Sequence, residues 1–130
     1  KNLTFHEADA SGNSVVKSLS AILALEGKSI YVGDLMSAGQ SPLEVLSKTL
    51  PETTVYELFE CKSDELLYYI DQGTPVMAYI EKDKAILLTG YSQTNLYYYN
   101  PATNSDGSMS LSDADAKFAL GGYRYIVYIK

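Results

Sequence analysis

The stretch that most constrains the fold of this chain begins at Lys84 and continues to Asn100. Residues 85–89 read Ala-Ile-Leu-Leu-Thr, an apolar run that is typical of a central strand buried on both faces. Gly90 predicts a turn, residues 96–99 predict a second strand, and the Asn-Pro pair that follows predicts where this strand ends. The chain is therefore expected to be built around two neighbouring strands.

Length and composition limit the kind of protein that this chain can be. Its 130 residues fit a single domain, residues 1–130, that buries a core without a disulfide or a metal. The net charge of -6, with no clustered Lys or Arg, argues against nucleic-acid binding. No apolar run approaches the ~20 residues of a membrane-spanning helix, so no membrane span is expected. The chain begins with Lys1 rather than Met, which favours a domain excised from a longer protein.

The order of the predicted elements indicates the fold class. Helices come mostly first and strands mostly last, which predicts an α+β fold with an antiparallel sheet. Helices are expected at residues 15–26, 42–50, 63–72 and 111–118, and strands at 53–59, 75–80, 85–89, 96–99 and 123–129. Residues 81–84 predict a charged hairpin loop, residues 101–107 a turn-rich loop, and residues 29–32 either a short strand or a turn.

Two helices carry clear boundary signals. Ser14 or Asn13 is expected to cap the first helix, and Gly27 is expected to end it. Ser41 precedes Pro42, and Glu44 follows the serine by three positions, which predicts a capping box with proline at the first helical position.

Several short motifs follow one another in an order known from a protein family. Gly27 ends the first helix, Gly73-Thr74-Pro75-Val76 opens a strand, Gly90-Tyr91 ends the apolar strand, and Asn100-Pro101 ends the next strand. In this order the chain resembles the C39 branch of the papain-like cysteine peptidases, the bacteriocin-processing type. The resemblance covers nearly the whole chain and implies a papain-like fold in which N-terminal helices pack on an antiparallel sheet. It also implies a bacterial protein that is secreted or extracytoplasmic.

The resemblance assigns the catalytic positions of that family to residues that cannot perform its chemistry. Counted back from Gly27, the position of the cysteine nucleophile falls on Ser14. Counted back from Gly90, the position of the histidine falls on Lys84, and Asn100 occupies the position of the third group. No glutamine precedes Ser14 to help hold an oxyanion.

The physical chemistry of these residues argues against catalysis. A serine hydroxyl is a weak nucleophile unless a base takes its proton. A lysine acts as that base only when it is strongly desolvated, and Lys84 follows the charged residues Glu81, Lys82 and Asp83. We therefore expect a pseudo-peptidase without a cofactor, which binds a peptide or protein partner in the former active-site cleft.

Other functions remain open from the sequence. One alternative is a hydrolase or peptidase that uses Ser14 or Cys61 as its nucleophile. Ser14 and Lys17 form a Ser-x-x-Lys pattern like that of penicillin-binding enzymes, although a capping serine and a solvated lysine give the same pattern. Cys61 and His6 are the only thiol and imidazole of the chain. Another alternative is a structural module of a larger surface protein.

Metal binding is not expected from the arrangement of the acidic residues. Asp71, Asp106, Asp113 and Asp115 are scattered and form no loop with the spacing of calcium ligands. Nothing in the sequence indicates which oligomeric state the protein has.

Overall fold

The structure, a computed structural model, describes residues 13–28, 32–60 and 63–130. Within these residues it is an α+β protein with five helices and six strands. The elements in chain order are α1 (Ser14–Leu25), α2 (Val32–Ser37), α3 (Pro42–Thr49), β1 (Thr54–Phe59), α4 (Ser63–Asp71), β2 (Val76–Glu81), β3 (Lys84–Tyr91), β4 (Asn95–Asn100), β5 (Ser105–Ser110), α5 (Leu111–Leu120) and β6 (Arg124–Ile129).

The six strands form one sheet in the order β1-β6-β2-β3-β4-β5. Every neighbouring pair is antiparallel, which confirms the predicted antiparallel sheet. Strands β2 to β5 follow each other as a meander, whereas β6 returns across the sheet and inserts between β1 and β2. Strand β3, which carries the apolar run, therefore lies inside the sheet and pairs on both sides.

Helices cover both faces of this sheet. Alternate side chains of a strand point to opposite faces, so Leu87 packs with α1 to α3 while Ile86 and Leu88 pack on the other face. That second face is covered by α4 and α5. Because the centre of the sheet has no solvated face, its strands are continuous apolar runs rather than alternating ones.

Helix α1 packs on β3 and begins at the point where the two elements meet. The side chain of Asn13 caps the helix, since its Oδ1 accepts a hydrogen bond of 3.0 Å from the backbone N–H of Val16. Of the two capping residues expected from the sequence, Asn13 thus has this role, and Ser14 is the first helical residue. Leu19 and Ile22 are fully buried on the inner side of the helix.

The capping box predicted for α3 is confirmed. Ser41 Oγ accepts a hydrogen bond of 3.2 Å from the Glu44 N–H, and Glu44 Oε1 accepts one of 3.1 Å from the Ser41 N–H. The hydrogen bond from the Ser41 backbone, helped by that of its side chain, holds the pKa of Glu44 below its ordinary value. Local sequence alone therefore determines where this helix begins.

The turn predicted to begin at Gly90 and to end at Asn95 begins two residues later, at Ser92. Strand β3 continues through Gly90 to Tyr91, and its pairing with β4 shifts register between Leu88 and Gly90. Glycine inside a strand often marks such a bulge, because it has no side chain to pack. The chain turns over residues 92–95, where Ser92 N–H donates a hydrogen bond of 2.8 Å to the Asn95 carbonyl oxygen.

The loop predicted over residues 101–107 is only partly correct. The turn ends at Asn104, and Ser105–Ser110 forms the edge strand β5. Its sequence contains none of the branched or aromatic residues that favour strands, so pairing with β4 decides its conformation. The ring of Tyr98 on β4 lies over Gly107, where an added Cβ atom would be 2.6 Å from the ring.

The segment at residues 29–32 lies mostly outside the described residues, and its one described residue, Val32, begins α2. The sequence did not predict this helix.

Candidate functional site

Ser14 connects the start of α1 with the start of β3 through a hydrogen bond. Its hydroxyl oxygen accepts a hydrogen bond of 3.0 Å from the backbone N–H of Ala85, and both residues are buried. The bond therefore engages a buried backbone N–H of β3. Ser14 therefore has a structural partner in the position that the resemblance assigns to a nucleophile.

Lys84 is the first residue of β3 and lies at the mouth of the β2–β3 hairpin. Lys82 and Asp83 form the turn, and Glu81 pairs with Lys84 across it. The Lys84 Nζ atom lies 3.2 Å from Glu81 Oε2, and 62% of the lysine side chain is exposed. The charged hairpin predicted from the sequence is confirmed, and its lysine is solvated rather than buried.

Asn100 is the last residue of β4 and shapes the turn that follows it. Its Oδ1 accepts a hydrogen bond of 3.0 Å from the backbone N–H of Ala102. Pro101 is buried and ends the strand, as the Asn-Pro pair predicted. The side-chain oxygen of Asn100 is thus engaged by its own turn.

The structure brings these three residues together around one cavity of about 520 Å³, which we call the Ser14 cleft. It lies between the start of α1, the β2–β3 hairpin and the end of β4. The lining residues are Asn13, Ser14, Lys17, Ile80, Glu81, Asp83, Lys84, Ala85, Asn100 and Ala102. The chain brings them to one end of the sheet because β3 begins and β4 ends there.

The lining of the Ser14 cleft carries charges of both signs. Lys84 pairs with Glu81, whereas Lys17 and Asp83 form no ion pair with another described residue. Neither an imidazole nor a thiol is among the lining residues. The cleft can donate and accept hydrogen bonds, but it lacks the thiolate–imidazole pair on which papain-like catalysis depends.

A smaller cavity of about 150 Å³ adjoins the first and shares Asn13 and Asp83 with it. Arg124 reaches this cavity from β6, and its Nε donates a hydrogen bond of 2.8 Å to Glu57 Oε2. The guanidinium carbon lies 4.4 Å from the centre of the Tyr79 ring, within range of a cation–π interaction. Burial raises the pKa of Tyr79, and the nearby Arg124 partly opposes this rise.

Sequence reasoning missed the group formed by Glu57, Tyr79 and Arg124. The three residues lie on three strands, β1, β2 and β6, which are far apart in the chain. No local pattern marks them, because their contacts depend on where β6 inserts into the sheet.

Of the remaining candidate residues, Cys61, the alternative nucleophile, and His6 lie outside the described residues. Both carboxylate oxygens of Asp71 accept hydrogen bonds from the Tyr91 hydroxyl, at 2.7 and 2.9 Å. In the described ranges, no three His, Cys, Asp or Glu residues are grouped so that they could hold a metal ion.

The described helices are all too short or too polar to cross a membrane.

The roles of Ser14, Lys84 and Asn100 come from the order of short motifs, and the structure gives their geometry. Comparisons with known proteins add no further assignment, since no protein-family model and no curated protein sequence matches this chain.

Proposed function

We propose that this protein is a non-catalytic, peptidase-like domain of the C39 type that binds a peptide or protein partner in the Ser14 cleft. One observation carries the proposal. Ser14, Lys84 and Asn100 surround one cavity, as the positions of a catalytic triad would, while each side chain already has a partner unrelated to catalysis.

The arrangement of α1 and β3 supports the papain-like part of this proposal. A papain-like site has its nucleophile at the start of a helix and its base on the sheet that this helix packs against. Here Ser14 begins α1, Lys84 begins β3, and α1 packs on β3. This placement supports the positions that the order of the motifs assigns.

The same geometry argues against a serine enzyme. A hydroxyl becomes a useful nucleophile when an adjacent base removes its proton. The Ser14 oxygen accepts a bond from Ala85, and the Lys84 ammonium is solvated and paired with Glu81. A Ser–Lys mechanism needs an amine that is desolvated beside the hydroxyl, which the exposed hairpin does not supply.

The Ser14 cleft has the size and chemistry of a binding site. Ligand pockets commonly enclose about 300–1,000 Å³ and place a few polar groups that fix orientation. The cleft of about 520 Å³ offers the Lys17 ammonium, the Asp83 carboxylate and the Asn100 amide nitrogen. These groups complement the alternating donors and acceptors of a peptide backbone better than they complement a compact apolar ligand.

A peptide-binding experiment tests the proposal directly. Fluorescein-labelled peptides from a synthetic decapeptide library would be ranked by fluorescence anisotropy, and the best binder carried forward. We expect Asn100→Ala and Lys17→Glu each to weaken its binding by about tenfold, equivalent to about 1.4 kcal/mol. Lys117→Glu is the matched control, because Lys117 is exposed on α5, which packs on the opposite face of the sheet.

Two results would contradict the proposal in different ways. Binding that is indifferent to substitutions at Ser14, Lys84 and Asn100 would place the partner elsewhere. Labelling of Ser14 by a fluorophosphonate probe, lost in the variant Lys84→Ala, would instead establish a serine hydrolase.

A further inference from the structure

Among the described residues, strand β1 forms one edge of the sheet and pairs with a strand on one side only. It pairs only with β6, and no described strand lies on its other side. The Glu60 N–H donates a hydrogen bond of 2.9 Å to the Tyr123 carbonyl oxygen, which extends the register of this pair by one position. An unpaired strand edge is a template for another strand.

The Glu60 hydrogen bond identifies which backbone groups face outward. In an antiparallel pair, residues that bond to the partner strand alternate with residues whose N–H and C=O point away from it. Since Glu60 points towards β6, the N–H and C=O groups of Val55, Glu57 and Phe59 point away from the sheet. They are spaced to receive one further strand.

The side chains of β1 are unusually apolar for an exposed edge. Tyr56 is 44% exposed and Phe59 is 59% exposed, although large apolar residues are otherwise mostly buried in the described chain. The opposite edge, β5, has the sequence Ser-Asp-Gly-Ser-Met-Ser and exposes no large apolar side chain. Only one edge of this sheet is thus suited to pair with an apolar strand.

The charged residues within β1 and its flanking segments are all acidic. Residues 50–60 contain Glu52, Glu57 and Glu60 and no Lys or Arg. Glu57 is paired with Arg124, whereas Glu52 and Glu60 are exposed and form no ion pair with another described residue. Glu60 lies just after the strand, and Glu52 lies just before it, where Lys28 and Lys130 line the same cavity. An added strand would therefore meet unopposed negative charge at the Glu60 end.

This charge pattern decides between a second copy and a different partner. If two β1 strands paired antiparallel about Glu57, this residue would face its own copy. If they paired about Tyr56, Glu52 of one copy would face Glu60 of the other. Like charges opposite each other disfavour pairing, and the net charge of -6 on each chain adds to the repulsion.

We infer that the outer edge of β1 binds an extended segment of another protein, with apolar residues beside Tyr56 and Phe59 and Lys or Arg at the end that meets Glu60. The backbone groups of Val55, Glu57 and Phe59 bond to this strand, and Tyr56 and Phe59 cover its apolar side chains. The surface is separate from the Ser14 cleft, since β6 and β2 lie between β1 and β3. The inference does not depend on the function proposed for the cleft.

The test uses a synthetic peptide with two lysines on each side of a Val-Thr-Val-Tyr-Val core. Amide hydrogen exchange of the whole chain would be measured by nuclear magnetic resonance with and without it. We expect the outward amides of Val55, Glu57 and Phe59 to exchange at least about tenfold more slowly when the peptide is bound. A peptide with glutamates in place of the lysines is expected to bind at least about tenfold more weakly.

A pair of variants at Phe59 separates backbone pairing from side-chain contact. Phe59→Pro removes one outward N–H but no hydrogen bond to β6, so it should reduce binding by about tenfold. Phe59→Ala keeps the N–H and is expected to lose less. Methylation of the peptide nitrogens that face β1 should abolish binding to the unaltered protein, which tests the same point if the proline variant does not fold.

Three results would overturn the inference. The first is slowed exchange at β5 or around Ser14 instead of β1, and the second is equal binding of the two peptides. The third is dimerisation of the protein alone through β1, seen by sedimentation together with slowed exchange at Val55, because the occupant would then be a second copy.

Discussion

Ser14 has a structural role in the position that the resemblance assigns to a nucleophile. The bond from Ala85 N–H to Ser14 Oγ is buried and joins residues 71 positions apart. A buried backbone N–H that loses its partner costs about 1–3 kcal/mol. The residue that the resemblance assigns to catalysis therefore contributes to stability.

The first prediction concerns this bond. Ser14→Ala should lower the free energy of unfolding by about 1–3 kcal/mol, because the Ala85 N–H is then left unpaired. Urea denaturation followed by circular dichroism measures the change. Ser20→Ala is the control on the same helix, because Ser20 is half-buried and alanine favours helices. Equal stability of Ser14→Ala and the unaltered protein would mean that the bond is dispensable.

The second prediction tests whether Ser14 and Lys84 stand in the positions of a cysteine and a histidine. In a Cys61→Ala background, the double variant Ser14→Cys, Lys84→His should react with iodoacetamide at pH 6 at least about tenfold faster than Ser14→Cys alone. A neighbouring imidazolium lowers the pKa of a thiol and increases its thiolate fraction. Mass spectrometry of the alkylated peptide measures the rate.

Equal rates for the two variants would show that the side chains at positions 14 and 84 do not meet. The assignment of these positions would then be wrong, even though both line one cavity. Ser14→Cys with Lys117→His is a suitable control, since Lys117 lies on α5.

At the scale of elements, predictions that depend on neighbouring residues in the chain agree with the structure, whereas elements that depend on distant contacts were missed. Helix α3 was predicted to within one residue because its capping box is local. Strand β5 was missed, since its polar residues become a strand only by pairing with β4. The bulge at Gly90 was mistaken for a turn, because a glycine in the sequence does not distinguish the two. The positions lining the cleft could be proposed from motif order, whereas the Arg124 contacts could not.

The third prediction concerns the contact between α5 and β2. A Cβ atom at Gly121 would overlap the backbone carbonyl group of Tyr79, which cannot move without disturbing the sheet. Gly121→Ala should therefore destabilise the protein by about 1–3 kcal/mol in urea denaturation. Gly33→Ala is the matched control, because an added Cβ meets nothing within 4 Å in α2 and alanine favours the helix. Equal effects of the two substitutions would contradict the close packing.

At the scale of the whole molecule, polar contacts connect the end of α1 with β6 and the residue that follows it. The Tyr128 hydroxyl on β6 donates a hydrogen bond of 2.8 Å to Glu26 Oε2, just after α1. Lys130 Nζ lies 3.2 Å from the same carboxylate oxygen. Burial first, and then the bond to Glu26, raise the pKa of Tyr128 far above its ordinary value. The neutral phenol is thus part of the folded state.

The fourth prediction follows from this pKa. A group whose pKa is raised by folding stabilises the protein below its unfolded pKa, about 10 for tyrosine, and this stability is lost as the pH rises further. Above pH 10, Tyr128 should make the free energy of unfolding fall by about 1.4 kcal/mol per pH unit. In Tyr128→Phe this part of the slope should be absent. Urea denaturation between pH 8 and pH 11 measures it.

Tyr68→Phe is the control for that measurement, because the ring of Tyr68 is exposed on α4. Tyr79→Phe offers a second comparison, since burial also raises the pKa of Tyr79. An identical alkaline slope in Tyr128→Phe and the unaltered protein would contradict a neutral, buried phenol.

The insertion of β6 between β1 and β2 has a consequence for the order in which the domain can assemble. During synthesis, β1 leaves the ribosome about 70 residues before the strand with which it pairs. The meander of β2 to β5 can form from contacts between strands that are neighbours in the chain. Strand β1, in contrast, can pair only after β6 has been made. We therefore expect folding of this sheet to end with a long-range closure, in which β6, the last of the six described strands, pairs with β1.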